Sequence, residues 1–185
     1  MSNWFESLQP LYAQVWRSLA RGVTDRDAPA RQPTLATISP DGWPESRTVV
    51  LRRAAQEQAL LEIYTDNHSG KIASLRAIPR AALHVWEPDL NLQLRLQAKV
   101  AIFTGDTVAN RWTQLTATAR ESYGITPAPG TAIPDALDYV KKPDQSHFCV
   151  LSLNLTHIDV LHLGDRHRRA TFRQSQDWQG QWVAP

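Results

Sequence analysis

The sequence predicts a mainly β protein, an antiparallel sheet closed into a barrel with a few peripheral α-helices. Three observations predict it. Seven or eight short segments alternate apolar and polar residues, most of them are joined by turns, and helix-period patterning is confined to a few stretches. Sequential strands joined by turns pair antiparallel, and closing such a sheet removes its edges.

A helix is expected over residues 3–20, where Trp4, Leu8, Leu11, Val15 and Leu19 recur at spacings of three and four, with Ser2 or Asn3 as cap. Pro10 lies inside this pattern and leaves open a kink or two short helices. Residues 22–33 are polar, contain Pro29 and Pro33, and read as a loop. The period then becomes two. Strands are expected over 34–39 and 46–53, joined by Pro40-Asp41-Gly42, where proline fixes φ and glycine permits positive φ. A third strand follows over 59–65. Residues 69–77 read as a short helix closed by Pro79, and strands 81–86 and 92–103 flank a Pro88-Asp89 turn. Asp106 is placed to cap a helix over 107–123. Residues 124–134, with three prolines, read as a loop, followed by a short helix over 135–140. Strands over 147–154, 157–163 and 166–174 come next, and a tryptophan-bearing segment over 177–183 ends the series.

At 185 residues the chain has the length of one domain. Hydrophobic residues make up 42% and charged residues 21%, which excludes disordered and collagen-like classes. Cys149 is the single cysteine, so neither an internal disulfide nor a Cys-based zinc site can form within one chain. The sequence has no apolar run of about 18 residues and no basic-then-apolar leader pattern, so the expectation is a cytoplasmic protein without a membrane partner. A net charge of +2 is too small to indicate a nucleic-acid surface. Of 20 basic residues other than histidine, only Lys71, Lys99, Lys141 and Lys142 are lysines. Genomic bias is one explanation; a use for planar forks that grip phosphate or carboxylate is the other.

Four segments bear chemistry. Strand 46–53 carries Arg47 and Arg52 near its ends, on opposite faces by alternation, which suits either a solvated strand end or an arginine reaching a phosphate. In Tyr64-Thr65-Asp66-Asn67-His68-Ser69-Gly70-Lys71, Ser69 can cap the following helix and Lys71 falls in its first turn. A cation there opposes the helix dipole unless an anion sits on the first-turn N–H groups. Strand 92–103 lines up Gln93, Arg95, Gln97 and Lys99, either as a solvated face or as the wall of a polar site or subunit interface. Near the end of the chain, Arg166-His167-Arg168-Arg169 requires an anion, carboxylate partners or water. His84 and Cys149 read as core residues. The histidines show no metal-ligand spacing, so no metal is expected.

Taken together, RTVVLR at 47–52, YTDNHSGK at 64–71, PRAALHVW at 79–86, LQLRLQAKV at 92–100 and the closing DRHRRATFR with its following tryptophans resemble the pyridoxamine 5′-phosphate oxidase family of FMN-binding split barrels. The resemblance runs from about residue 34 to residue 185. It implies FMN bound at the interface of a homodimer. Arg47 and Lys71 would hold the phosphate, with Thr65 and Ser69 nearby. Val49, Val50, Leu51 and Tyr64 would line the ring and ribityl chain, with Thr48 and Arg52 in the same cofactor-binding stretch. Gln93 would reach in from the other subunit, and His167 and Arg169 match the closing basic motif.

The departures narrow what the resemblance implies. Gly70 stands where the oxidase carries a second basic residue, Leu161 or His162 where it has a tryptophan, and the helix after strand 92–103 lacks its tyrosine, arginine and serine. The pattern is closer to the branch whose members share the FMN site and lack an assigned substrate. The expected activity is an FMN-dependent oxidoreductase acting on an unidentified small molecule, and these departures count against pyridoxamine 5′-phosphate as that substrate. Arg52, Arg111 and His167 are the candidate substrate contacts, and no side chain is assigned as acid or base. The alternatives are a split barrel that binds haem, through His84, His147 or His162, or one that binds deazaflavin, or a flavin-binding protein without turnover. A nucleic-acid surface ranks last.

Overall fold

The computed structural model describes residues 3–185; the expected Ser2 cap lies outside them. A 3₁₀ turn over Trp4–Glu6 precedes helix α1 (Leu8–Thr24). Pro10 neither kinks nor divides α1, because it sits in the first turn, where its missing N–H would have had no intrahelical partner. Leu11, Val15, Trp16 and Leu19 of α1 are buried. No helix among the described residues is long and apolar enough to cross a membrane.

Strands β1 (Thr34–Ile38) and β2 (Pro44–Thr48) form a hairpin whose turn uses Gly42 at φ +86°. The single strand expected over 46–53 is two strands. After Thr48 the chain turns a corner, the Val49 N–H bonds to the Pro33 carbonyl, and β3 (Leu51–Ala55) pairs with β4 (Leu60–Asp66) instead of β1. The β-branched run keeps the backbone extended through the corner, which hides the change of neighbour from the sequence pattern. A bulge between Leu51 and Arg53 leaves Arg52 out of register.

Helix α2 (Gly70–Ala77) leads into the hairpin β5 (Arg80–Glu87) and β6 (Leu92–Thr104), both of which alternate as expected. His84 corrects its core assignment: it is exposed, because Ala81, Leu83 and Val85 take the inner face.

The helix expected over 107–123 is broken into a 3₁₀ turn (Gly105–Val108) and the short helices α3 (Ala109–Thr113) and α4 (Ala117–Arg120). Asp106 lies within the 3₁₀ turn rather than capping. Thr116 caps α4 by accepting from the Ala119 N–H. Arg120 stacks on Trp112 and donates to the Trp112 and Thr113 carbonyls, satisfying groups that a continuous helix would have used. No helix forms over 135–140; isolated turns there precede β8 (Val140–Lys141), which pairs with β7 (Ile125–Thr126) inside the expected loop. One turn without tertiary support does not propagate.

The strands expected over 147–154 and 157–163 are one strand, β9 (Phe148–His162). The apparent break is a bulge at Thr156: Ala98 opposes Leu155 and Gln97 opposes His157. On its other edge β9 pairs with β4 through Asn154 and with β10 (Arg168–Arg173) from His157 onward. Strand β11 (Gly180–Val183) follows β10.

Hydrogen bonding thus runs β3-β4-β9-β6-β5-β1-β2, and the Val49-Val50 corner joins the ends of the series. Where β9 leaves β4 for β10 the barrel splits. Helix α1 packs across β3 and β11. The expected antiparallel split barrel with peripheral helices is the observed fold. A second apolar cluster (Val108, Tyr123, Phe148, Val150) lies outside the main core, under α3.

Candidate functional site

Strand β4 ends at Asp66, and a turn delivers the chain to α2. The Ser69 hydroxyl donates to the Asp66 carbonyl at 2.8 Å, which fixes the helix entry. Lys71 then reaches back, and its Nζ donates to Thr65 Oγ1 at 2.9 Å and to Ser69 Oγ at 3.0 Å. Burial pushes the Lys71 ammonium below its ordinary pKa and the Arg47 charge adds to this, while Asp66 opposes it. No carboxylate among the described residues forms a salt bridge with Lys71. A desolvated ammonium beside a second cation, bonded only to hydroxyls, fits an anion.

Arg47 lies on β2, where its guanidinium donates to Thr37 Oγ1 at 2.7 Å and Glu45 Oε2 at 2.9 Å; Ser74 also bonds that Glu45 oxygen. Arg52 stands 6.0 Å from the Tyr64 ring centroid, and its buried Nε has no hydrogen-bond partner among the described residues. Burial pushes the Tyr64 and Tyr123 phenols above their ordinary pKa.

A cleft of about 350 Å³ collects these groups, and Arg47, Thr48, Val49, Val50, Arg52, Tyr64, Thr65, Ser69 and Lys71 all line it. Leu51 is fully buried in the core, so it can meet a ligand through its backbone alone. Asp66, Ser122, Tyr123 and Pro129 also line the cleft and were not anticipated. The sequence signal for Ser122, Tyr123 and Pro129 is the proline-rich loop, which the first two precede and the third lies in.

Gln93, His167 and Arg169 do not line this cleft. Gln93 is on β6 opposite Leu161, which on its other side opposes Arg169 on β10. Arg169 grips Asp159 through two bonds of 3.1 and 2.8 Å, and Arg95 adds a third at 2.7 Å. Burial raises the Asp159 pKa, but these guanidiniums outweigh it and the net shift is downward. His167 lines a separate groove with Glu6, Arg168 and Trp182. The basic run finds carboxylates, since Arg168 pairs with Glu6 at 3.1 Å and stacks on Phe5. Arg111 is likewise engaged within the chain: it and Arg53 both bond buried Glu62 at 3.0 Å, tying α3 to β4.

The three histidines considered as haem ligands are dispersed. His84 is exposed on β5, His147 faces Asp66, and His162 is stacked 4.2 Å from the Phe5 ring. Cys149 is fully buried, and its thiol is pushed up to about 12 by burial, consistent with packing.

Residues 13–104 match the family model for the pyridoxamine 5′-phosphate oxidase FMN-binding domain. A pyridoxine/pyridoxamine 5′-phosphate oxidase of Chromohalobacter salexigens is 36% identical over 87 residues, 47% of this chain and 39% of that protein. The chain thus spans about two fifths of the length of the curated relatives it matches. A pyridoxamine 5′-phosphate oxidase-related FMN-binding protein of Nostoc punctiforme superposes with a TM-score of 0.75 and 25% identity, over 94% of this chain and 96% of that one. PhzG of Burkholderia lata, solved with tetrahydrophenazine-1-carboxylic acid, gives a TM-score of 0.75 at 17% identity over 100% and 98% of the two chains, a likeness of fold.

Proposed function

The chain belongs to the pyridoxamine 5′-phosphate oxidase-related family of FMN-binding split barrels, and from that premise we propose that it is an FMN-dependent oxidoreductase of a small molecule, built as a homodimer with FMN between the subunits. The observation that carries the reading is Lys71, a half-buried cation bonded to two hydroxyls beside Arg47. A phosphate monoester on these groups supplies the missing anion and also meets the first-turn N–H groups of α2. The unpartnered Nε of Arg52, at the same cleft, further fits an acceptor-rich ligand.

When bound, FMN supplies two-electron chemistry at its ring. The protein's part is to bind, orient and exclude water. Thr65, Ser69, Lys71 and Arg47 would hold the phosphate, with Glu45 keeping the Arg47 guanidinium aimed along β2. Val49 and Val50 provide an apolar wall, and Tyr64, Arg52 and Tyr123 a polar one. A cleft of about 350 Å³ is at the small end of ligand pockets, which supports completion by a second copy. In the dimer, Gln93, His167 and Arg169 would come from the partner copy, since within one chain they lie away from Lys71. Arg52 and His167 remain the candidate substrate contacts; Arg111 would contribute through its hold on Glu62.

The test is to add FMN to the purified full chain, remove the excess and record the visible spectrum. Retained flavin absorption at one FMN per chain supports the reading, and a colourless protein rejects it. Retention of the colour by the Lys71→Ala protein at unchanged affinity rejects the phosphate assignment.

A further inference from the structure

The turn that positions Lys71 carries a second constellation, centred on the Asp66 carboxylate. Asp66 is 6% exposed, and its two carboxylate oxygens face two different imidazoles. Oδ1 lies 3.3 Å from His68 Nδ1, and Oδ2 lies 3.3 Å from His147 Nδ1. The two rings are 4.3 Å apart between centroids. One donor atom from each of the three residues lies within 4.8 Å of the others. Asp66 and His147 are 81 residues apart in sequence, so no local motif announces the cluster.

The positions are fixed by backbone contacts. The His68 N–H donates to Asp66 Oδ1 at 2.7 Å and the Gly124 N–H to Oδ2 at 3.2 Å, which orients the carboxylate and leaves lone pairs on both oxygens. His147 ends a 3₁₀ turn capped by Asp144, and its carbonyl accepts from the Asn67 N–H at 2.7 Å, tying that turn to the one bearing His68. The two backbone donors to Asp66 are the outer contacts that orient metal ligands in general.

We propose that Asp66, His68 and His147 form a binding site for a divalent transition ion of the zinc class. Two imidazole nitrogens and one carboxylate are a borderline donor set that such ions prefer over magnesium or calcium. Tetrahedral zinc with bonds near 2.1 Å places neighbouring donors about 3.4 Å apart. Each imidazole Nδ1 lies 3.3 Å from a different Asp66 oxygen, and one donor from each of the three residues fits within 4.8 Å, so a small adjustment of the side chains brings them onto one ion. The tautomer protonated on Nε2 frees Nδ1 for the ion. His68, whose side chain is 47% exposed, provides the approach, and the fourth coordination position is left to water or a ligand. The site adjoins the proposed flavin phosphate groups, since Asp66 lines the same cleft and its carbonyl accepts from Ser69 Oγ, but it uses different atoms: the Asp66 carboxylate and the two imidazoles form no hydrogen bond with Thr65, Ser69 or Lys71.

The experiment is calorimetric titration of zinc chloride into the untagged full chain after chelator treatment, with and without added FMN. One ion per chain is expected in both conditions, and His68→Ala and His147→Ala should each weaken binding by at least about tenfold, while exposed His84→Ala should not. Circular dichroism melts check folding, and His68→Ala, at a half-exposed position, keeps the test decisive where His147→Ala does not fold. Absence of saturable zinc binding, or affinity unchanged in His68→Ala, overturns the proposal. Zinc binding and FMN binding are read separately, so either can fail while the other stands.

Discussion

Lys71 Nζ and Thr65 Oγ1 lie 2.9 Å apart, joining the first turn of α2 to the end of β4 across the mouth of the cleft. The contact leaves a cation desolvated and bonded to a neutral hydroxyl, and two consequences of opposite sign follow. Lys71→Met removes a charge-assisted contact of about 1.5–3 kcal/mol with the FMN phosphate, so FMN affinity should fall by about ten- to a hundredfold in a fluorescence titration. In the FMN-free protein the same change removes a half-buried charge that no carboxylate pairs, so the melting temperature should hold or rise.

Gly70 precedes Lys71 at the start of α2, and a Cβ there meets nothing within 4 Å. A side chain can therefore start at position 70 without displacing a neighbour, and Gly70→Arg adds a second cation beside the proposed phosphate position. FMN should bind several-fold more tightly, and the increase should shrink as salt is raised.

Asp159 joins β9 to β6 and β10 through Arg95 and Arg169. Its folded-state pKa is depressed, so the unfolded chain binds the proton more readily and the stabilisation exists above the ordinary carboxylate range. It is lost as pH falls through the lower, folded-state value. Asp159→Asn should lower stability by about 1–2 kcal/mol at pH 7, and the gap to the unmodified protein should close in acid melts.

Gly124 has φ +106°, its N–H holds Asp66, and a Cβ there would overlap the Lys142 carbonyl oxygen. Both the left-handed backbone and the close approach require glycine. Gly124→Ala should cost more than about 1 kcal/mol and open the 124–144 segment to limited proteolysis before the barrel melts.

Subunit sharing is tested by mixing. If Lys71 and Arg169 serve the same site from different copies, Lys71→Ala and Arg169→Ala homodimers each bind FMN weakly. After subunit exchange, about one quarter of sites should regain full affinity, because each mixed dimer holds one unaltered pair. No recovery would place both residues in one chain's site, or Arg169 in none.

The sequence made the barrel legible wherever one face of a strand is buried and the other wet, as in β5 and β6. It misled where burial is two-sided or neighbours change. The Val49-Val50 corner is extended backbone, indistinguishable from a continuing strand, and the bulge at Thr156 looks like a strand end. The cleft's Lys71 side was legible because Ser69, Lys71 and the helix start are adjacent in sequence. Tyr123 and Pro129 were not, since they reach the cleft through helices broken by threonine and Arg120 contacts. The pairing of Arg47 with Glu45 and of Arg111 with Glu62 depends on side-chain direction, which spacing alone does not determine.

The bulge at Thr156 gives β9 something like a reading frame. Before it, the odd-numbered Cys149, Leu151, Leu153 and Leu155 enter the core; after it, the even-numbered Ile158 and Val160 do. Strand β6 keeps even parity throughout, from Leu92 to Val100. One supernumerary residue thus lets β9 back the Lys71 cleft with one half and, with the other, carry Asp159 and Leu161 on the face opposite the core, where Arg95 and Arg169 cover Asp159. Deleting a single residue here would turn Asp159 inward and Ile158 and Val160 out. Insertions and deletions at this point of the chain are therefore tolerable only in pairs, a constraint of phase rather than of side-chain chemistry.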